Sequence, residues 1–297
     1  MLSWLQAARP LAHVNIAVPL LMGEMLAFHA TGHIDIGMLI AAHVFGVLNQ
    51  LFIVFANDVA DEAGDRVNDT HNAFSGGSRV LPEGKISRRG LATAAIVSAI
   101  AMVALSAGLA TVSARPAMMG GCALALLLLW AYSFAPLRLS YRGHGEITQG
   151  FGLGLVLPVI GWYLQVGHID GLPWLALAPG VLLGFASNIS TALPDFPADK
   201  AVDKLTWPVR FGQSRARKHS LQLIALAVLL TPIVLPTLEH RGLLAVEVGP
   251  ALVLLLNLRW LNCSDATDRR RCATFVFLNG LAINLVLLAW IVALGVL

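Results

Sequence analysis

A long apolar segment ends in the acidic stretch Asn57-Asp58-Val59-Ala60-Asp61-Glu62-Ala63-Gly64-Asp65. At 100° per residue, its aspartates fall within an arc of roughly 60° on one helical face. A later apolar segment is followed by a second acidic set at i, i+4 and i+8, formed by Asp195, Asp199 and Asp203. Two carboxylate faces at one membrane surface can hold hard divalent cations, and such cations can hold a diphosphate.

The composition indicates a membrane protein. Of 297 residues, 57% are hydrophobic and only 12% are charged, whereas soluble domains carry about 25% charged residues. The apolar segments run almost from end to end, so we expect residues 1–297 to form a single membrane domain in the lipid bilayer. The net charge of +3 needs no nucleic-acid partner, because the basic loops described below account for it.

Nine apolar segments have the length of about 20 residues that a bilayer core demands. The first lacks a signal-peptide cleavage site and is interpreted as a permanent helix. The predicted spans are 10–29, 37–57, 91–111, 117–136, 147–166, 174–193, 220–239, 243–261 and 273–296. The spans therefore predict an all-α integral membrane fold.

The basic residues orient these spans. Of the 20 lysines and arginines, all but Arg115 and Arg241 fall on one side, which gives a split of 18 against 2. The positive-inside rule makes that side cytoplasmic. We therefore expect a cytoplasmic N-terminus, a C-terminus on the opposite side, and a location in the bacterial inner membrane.

Both acidic sets lie in long cytoplasmic loops, after the second and the sixth predicted helix. Helices four spans apart enter the membrane from the same direction. This arrangement suggests a parallel internal duplication of helices 1–4 and 5–8, followed by helix 9. The two acidic sets occupy corresponding positions after helices 2 and 6, and both have helical spacing. These two features argue against the alternative that the aspartates form only a solvated fringe.

Oxygen ligands favour Mg²⁺, which binds one or two carboxylates together with waters and substrate phosphate oxygens. No Cys/His set with metal-ligand spacing competes for a softer metal. Basic side chains in the same loops can neutralise a leaving diphosphate; they are Arg66, Arg79, Lys85, Lys200 and Lys204.

Other polar and small residues have structural or cavity roles in this reading. Polar residues inside spans are costly in lipid and are expected to face the protein interior. Those that could line a cavity are Asn15, Asn49, Glu146 and Asn188. Asn257, Asn279 and Asn284 are expected to form hydrogen bonds between helices, and the glycines between Gly143 and Gly161 to permit close helix packing.

Four motifs follow one another along the chain: Asn57-Asp58-x-x-Asp61-x-x-x-Asp65; Tyr132-Ser133-x-x-Pro136-Leu137-Arg138; Arg142-Gly143-x-Gly145-Glu146; and Asp195-x-x-x-Asp199 with Lys204-x-Thr206-x-Pro208-Val209-Arg210-Phe211-Gly212. Together with the opening Arg9-Pro10 and the nine-span layout, they resemble the UbiA-type intramembrane prenyltransferases. The resemblance covers the whole chain.

The resemblance implies a central cavity capped by two Asp-rich loops, Mg²⁺ as the cofactor and a polyprenyl diphosphate as the donor. It assigns metal ligation, directly or through waters, to Asn57, Asp58, Asp61, Asp65, Asp195 and Asp199. One departure is Asp203, which stands where many relatives have glycine, so its role as a ligand stays open.

The implied reaction ionises the diphosphate to an allylic cation, which an electron-rich aromatic carbon attacks while an apolar cavity excludes water. Catalytic roles fall to Asp65, Tyr132 and Arg138. No general base stands out, and Asp65 is the candidate. Diphosphate binding falls to Arg66, Arg79, Lys85, Ser133, Lys200 and Lys204.

The leading hypothesis is transfer of a polyprenyl group to an aromatic acceptor in menaquinone-type quinone biosynthesis, since the loop from Asp69 to Ser78 looks naphthoate-type. Other acceptors stay open: 4-hydroxybenzoate, homogentisate, haem, chlorophyllide or a glycerol lipid. So does an intramembrane terpene cyclase. A cation transporter is the alternative from another class, but transporters need polar residues at the midplane, and here the acids cluster at one face. Oligomeric state is undetermined.

Overall fold

The computed structural model describes residues 2–72, 74–235 and 240–296, and within these ranges the regular structure is entirely helical. The α-helices are α1 Leu2–Ala8, α2 Val14–Thr31, α3 Ile36–Val67, α4 Arg88–Val112, α5 Met118–Ser133, α6 Gly145–Phe151, α7 Leu157–Val166, α8 Ala178–Ala192, α9 Phe196–Ala201, α10 Trp207–Phe211, α11 Gln213–Val234, α12 His240–Asn257 and α13 Arg269–Val296. The predicted all-α fold is confirmed.

Eight helices or helix pairs in the described part of the chain are long and apolar enough to cross a membrane. Each of them overlaps with one of the nine predicted spans. The fourth predicted span, 117–136, falls on α5, which is apolar but has only 16 residues. The protein is an integral membrane protein, whereas the count of nine spans stays a prediction.

Helix α3 is longer than a bilayer core is thick, and the first acidic set lies in its C-terminal part. Its 32 residues correspond to about 48 Å, which exceeds the bilayer core of about 30 Å. Asp35 caps its first turn by accepting a 3.0 Å hydrogen bond from the Met38 N–H. The helix therefore continues from the apolar segment through Asp65 without interruption, as the helical spacing of the aspartates predicted.

The second acidic set has a different local structure from the one predicted. Helix α8 ends at Ala192, and a separate short helix, α9, begins at Phe196 after Asp195. Asp199 lies within α9, but Asp203 lies beyond its end with φ of +53° and is exposed. The predicted continuous face through Asp203 is wrong, because the chain turns after Ala201.

Glycines bring α6, α7 and α8 close together. A π-helical segment, Gly152–Val156, joins α6 to α7; Pro158 has no N–H to donate to the residue 154 carbonyl, so the α-helical pattern is interrupted there. A Cβ at Gly154 would overlap the backbone of Gly180 in α8. The predicted role of this glycine-rich stretch in close packing is confirmed.

A buried polar network ties the C-terminal helices to α8. Asn279 Nδ2 donates to Ser190 Oγ at 2.7 Å and to Ser220 Oγ at 2.9 Å, and Asn257 Nδ2 donates to Asn279 Oδ1 at 2.8 Å. The predicted bonds between helices are confirmed for Asn257 and Asn279. For Asn284 the prediction is wrong, since its amide donates to Gly280 O of its own helix.

The seventh predicted span, 220–239, was placed too late. Helix α11 begins at Gln213. The prediction missed its first turns because they carry basic residues, which a hydropathy criterion leaves out. Residues 236–239 lie outside the described residues.

Candidate active site

A cavity of about 330 Å³ opens among α2, α3, α5, α6 and α8. Both acidic sets reach one end of it, which is called the acidic end here and comprises Asn57, Asp61, Asp65, Asp195 and Asp199. Residues more than 130 positions apart in the sequence thus meet in one site. Further from this end the wall combines polar side chains with the apolar side chains of Ile16, Ile53, Leu128, Leu153 and Val156.

Asp61 is the most connected carboxylate of the acidic end. Lys204 Nζ donates to Asp61 Oδ2 at 2.9 Å, and the Tyr141 hydroxyl donates to Asp61 Oδ1 at 3.1 Å. Asn57 Nδ2 donates to Asp61 Oδ2 at 3.3 Å. Asn57 is itself held by Ser133, whose Oγ donates to Asn57 Oδ1 at 3.2 Å.

Lys204 lies between the two acidic sets. Its Nζ is 3.9 Å from Asp199 Oδ1 as well as 2.9 Å from Asp61, and Thr206 Oγ1 donates to Asp199 Oδ2 at 3.0 Å. Burial raises the pKa of Asp199 to about 7, although the Lys204 charge opposes the shift. Burial would lower the pKa of Lys204, but Asp61 and Asp199 outweigh it and hold that pKa well above its usual value. The lysine therefore stays cationic.

The residues that follow α3 hydrogen-bond to Asp195 and pass close to Asp65. Asn68 Nδ2 donates to Asp195 Oδ1 at 2.7 Å, and the Gly76 N–H donates to Asp195 Oδ2 at 3.2 Å. Burial raises the pKa of Asp195. Gly77, with φ of +70°, passes so close to Asp65 that a Cβ would overlap its carboxylate. This loop thereby connects the two acidic sets.

Asp58 differs from the other predicted ligands. Its carboxylate is 2% exposed, pairs with the Arg9 guanidinium, and accepts hydrogen bonds from the Ser78 hydroxyl and N–H. Asp58 does not line the cavity, whereas Arg9 does. The family resemblance assigned metal ligation to Asp58, directly or through waters, whereas its contacts favour a role in positioning Arg9.

Most of the predicted diphosphate-binding cations lie outside the cavity lining. Arg66 pairs with Glu62 at 2.7 Å, Lys85 pairs with Glu83 at 2.6 Å, and Lys200 is exposed. Arg79 donates to the Asp65 backbone carbonyl. Of the five loop cations predicted, only Lys204 lines the cavity, so the geometry does not support a diphosphate role for the other four.

The residues of the predicted Tyr132–Arg138 motif also divide into those that line the cavity and those that do not. Tyr132 lines the cavity, whereas Ser133 and Arg138 do not. The Arg138 guanidinium stacks 3.8 Å from the centre of the Tyr141 ring, which makes it a support for the tyrosine that holds Asp61. Because Arg138 does not line the cavity, the structure offers no direct support for its predicted catalytic role.

Three of the four predicted cavity residues, Asn15, Asn49 and Asn188, line the cavity. Glu146 does not; its Oε1 accepts a 2.7 Å hydrogen bond from the Trp207 N–H at the start of α10. Sequence reasoning gave no site role to Tyr141 and Asn68, which hold Asp61 and Asp195. Asn68 follows Asp65 by three residues, so the helical spacing that selected the aspartates could have found it.

The donor set of the acidic end fits a hard divalent cation. Its donors are carboxylate and amide oxygens, and no histidine or cysteine is among the described residues lining the cavity. Nowhere in the described ranges do three or more His, Cys, Asp or Glu side chains form a closed ligand cluster. Mg²⁺ characteristically takes only one or two carboxylates and completes its octahedron with water and phosphate oxygens.

A model of the UbiA prenyltransferase family matches residues 16–281. The chain belongs to this family. It is therefore a prenyltransferase, as the resemblance of its motifs predicted.

Two named proteins are similar to this chain over more than two thirds of its length. The 1,4-dihydroxy-2-naphthoate octaprenyltransferase of Mycobacterium tuberculosis is 26% identical over 231 residues, which cover 77% of this chain and 76% of the relative. The Bacillus subtilis protein of the same name is 27% identical over 213 residues, which cover 71% of this chain and 66% of the relative.

The fold is also that of a solved UbiA homologue from Archaeoglobus fulgidus, which was bound to GPP and Mg²⁺. The two structures align with a TM-score of 0.66 and 20% sequence identity, over 99% of this chain and 100% of that chain. At this identity the likeness establishes the UbiA membrane fold.

Proposed function

We propose that this UbiA prenyltransferase transfers a polyprenyl group from its diphosphate to an aromatic acceptor, with Mg²⁺ as the cofactor. The observation that carries the proposal is the meeting of Asp61, Asp65, Asp195 and Asp199, with Lys204 between them, at one end of a cavity whose remaining wall includes a run of apolar side chains. A polar, cation-binding end suits a diphosphate, and an apolar wall suits a prenyl chain.

The acceptor proposed is a dihydroxynaphthoate of menaquinone-type quinone biosynthesis. Both named relatives are 1,4-dihydroxy-2-naphthoate octaprenyltransferases. The loop from Asp69 to Ser78, which resembles naphthoate-type members, contributes Phe74, Ser75, Gly76 and Gly77 to the cavity wall. The same proposal places the acidic end on the cytoplasmic side of the bacterial inner membrane, because the basic loops lie on that side.

Within this proposal the residues that would hold Mg²⁺ are Asn57, Asp61, Asp65, Asp195 and Asp199, directly or through water. The bound cation would supply charge neutralisation of the diphosphate oxygens. Lys204 and Arg9 add permanent positive charge beside the same end of the cavity. Their guanidinium and ammonium donors suit phosphate oxygens.

The reaction begins when the bond between prenyl C1 and the diphosphate oxygen breaks, and both electrons of the bond leave with the diphosphate. Lys204 and Arg9 stabilise the charge that develops on the leaving group. A ring carbon of the acceptor then donates an electron pair to form the new bond to C1. The ring proton lost afterwards goes to a base, and we propose the Asp65 carboxylate for this role because it lines the cavity.

The apolar wall protects the allylic cation. Ile53, Leu128 and Leu153 line the cavity beyond the acidic end, and these three side chains offer water no hydrogen-bond partner. Exclusion of water prevents hydrolysis of the cation before the acceptor attacks.

The test is diphosphate release by purified protein in detergent, with geranyl or farnesyl diphosphate, with and without Mg²⁺, against a panel of aromatic acceptors. The expected result is Mg²⁺-dependent release together with a prenylated 1,4-dihydroxy-2-naphthoate, identified by mass. Release with a cyclised prenyl product and no acceptor adduct would establish a cyclase instead. A prenylated product from another acceptor only would overturn the naphthoate assignment and keep the reaction class.

A further inference from the structure

One wall of the cavity carries three linked polar side chains, which we name the amide triad: Tyr132 of α5, Gln149 of α6 and Asn188 of α8. Three different helices contribute them, so the group exists only in the folded protein. Asn188 is 6% exposed and lies at its centre. None of the metal and diphosphate contacts proposed above uses Gln149 or Asn188.

The hydrogen bonds within the triad leave specific groups unused. Asn188 Nδ2 has two hydrogens and spends them on Tyr132 Oη at 3.1 Å and on Gln149 Oε1 at 2.6 Å. The Tyr132 hydroxyl hydrogen and the Gln149 Nε2 hydrogens are then free. Among the hydrogen bonds formed by the described residues, none uses them, and none uses Asn188 Oδ1. The triad therefore offers two kinds of donor and one acceptor.

The triad adjoins the acidic end and the apolar wall at once. Tyr132 precedes Ser133, which donates to Asn57 of the acidic end at 3.2 Å. One helical turn from Tyr132 and Gln149 lie Leu128 and Leu153, which line the same cavity. A planar molecule bound here would have its polar substituents on the triad, its ring on apolar side chains, and a ring carbon close to the diphosphate end.

We propose that the amide triad is the acceptor subsite and that it selects an aromatic acid carrying a ring hydroxyl. The Tyr132 O–H and the Gln149 amide donate to the carboxylate, and Asn188 Oδ1 accepts from the hydroxyl. A carboxylate matches two neighbouring donors because it offers two acceptor oxygens. This inference rests on the proposed function, since it names the side chains that recognise the acceptor of that reaction.

The first experiment separates acceptor binding from donor binding. Gln149→Leu removes a donor, so the KM for 1,4-dihydroxy-2-naphthoate rises at least ~10-fold while the KM for geranyl diphosphate stays within ~2-fold, as expected when a site loses a hydrogen bond to one substrate only. Gln222→Leu makes the same chemical change on an exposed position of α11 and leaves both KM values unchanged. An unchanged acceptor KM in Gln149→Leu overturns the proposal.

The second experiment tests the assignment of the carboxylate. Gln149→Glu places a negative charge against it, so this variant discriminates against 1,4-dihydroxy-2-naphthoate but accepts 1,4-dihydroxynaphthalene, which lacks the carboxylate, as well as the wild type does. Equal losses for both acceptors overturn the assignment, because the substitution would then act on the fold or the donor. Thermal stabilisation by Mg²⁺ with geranyl diphosphate, retained in both variants, shows that the donor site is intact.

The proposed function and the acceptor subsite fail on different outcomes. If the wild type prenylates no aromatic acid, the proposed function fails and the subsite fails with it. If the wild type forms the product and the Gln149 variants keep its acceptor KM and its discrimination, only the subsite fails. If 4-hydroxybenzoate proves to be the accepted acid, the same comparison is made with phenol as the analogue, and the same outcomes decide.

Discussion

Two aspartates three residues apart on one face of α3 have different surroundings. Asp58 is enclosed by Arg9 and Ser78 outside the cavity lining. Asp61 lines the cavity and is paired with Lys204 at 2.9 Å. Residue type and spacing select both as ligands, but only their neighbours distinguish them: Arg9, which follows α1, and the loop residues Ser78 and Lys204. A cation in the cavity can reach the Asp61 carboxylate, whereas the Asp58 carboxylate does not line the cavity.

Loss of Asp61 or Asp199 is therefore expected to abolish turnover. Asp61→Ala and Asp199→Ala each lower kcat by more than about 100-fold, since even residues that only support metal ligands cost 10- to 100-fold when mutated. Diphosphate release measures the effect, and size-exclusion profiles in detergent check that folded protein remains. Near-normal turnover in either variant contradicts the proposed metal site.

Asp58→Asn is the matched comparison on the same helix. Because Asp58 contacts Arg9 and not the cavity, its amide variant is expected to shift the Mg²⁺ concentration for half-maximal rate by less than about 3-fold, whereas Asp61→Asn shifts it by more than about 10-fold. Titration of initial rates with Mg²⁺ measures both shifts. Equal shifts in the two variants restore Asp58 to the set of ligands predicted from the sequence.

At the scale of elements, the loop after α3 acts as a connector. It supplies Gly76 to Asp195 and Gly77 to Asp65, and Asn68 at the end of α3 reaches Asp195 as well. The two acidic sets are thus joined by backbone as well as by Lys204. A loop that contacts Asp65 and Asp195 fixes the distance between the two acidic sets. A diphosphate that bridges the sets requires such a fixed distance.

Gly77→Ala tests that element. A left-handed backbone costs a non-glycine residue roughly 1–2 kcal/mol, and at Gly77 a Cβ would also overlap Asp65. Gly84 has a similar φ of +66° with no atom within 4 Å of a Cβ, so Gly84→Ala carries the backbone strain alone. We expect both variants to lose thermal stability but only Gly77→Ala to lose at least about 10-fold in kcat, by displacement of a proposed ligand. Equal kcat values in the two variants would refute the connector role.

At the scale of the whole molecule, burial and topology make one native thiol a reporter of orientation. Cys122 and Cys272 are buried, whereas Cys263 is partly exposed in the segment between α12 and α13. Arg259 and the first residues of α13, Arg269, Arg270 and Arg271, flank Cys263, so the positive-inside rule predicts that this segment is cytoplasmic.

We therefore expect a membrane-impermeant maleimide to label the protein in inside-out vesicles and not in right-side-out ones. Cys263→Ser abolishes the label and serves as the control. Mass spectrometry of the labelled peptide gives the position, and labelling from the opposite side would invert the proposed orientation.

Much of the site was predictable because its signal is local. Apolar runs of bilayer length and aspartates at helical spacing require no knowledge of distant residues, so α3, most spans and the acidic residues were found. Helix ends were less accurate: α11 begins before its hydrophobic part, and the chain turns after α9 so that Asp203 leaves the acidic face. The sequence could not show which loop cations line the cavity, since that depends on the spatial neighbours of residues such as Arg66 and Lys204.

The amino-acid sequence by itself determined that this chain lies in a membrane, which residues supply oxygen ligands, and to which family it belongs, because hydrophobicity, helical periodicity and motifs are properties of consecutive residues. Only the tertiary structure decided which charges share a cavity. Lys204 reaches Asp61 across 143 positions, Arg9 reaches Asp58 across 49, and Tyr132, Gln149 and Asn188 meet from three helices. Such pairings depend on how helices pack, and packing is governed by side-chain shape and small residues along whole helices, which no short stretch of sequence encodes.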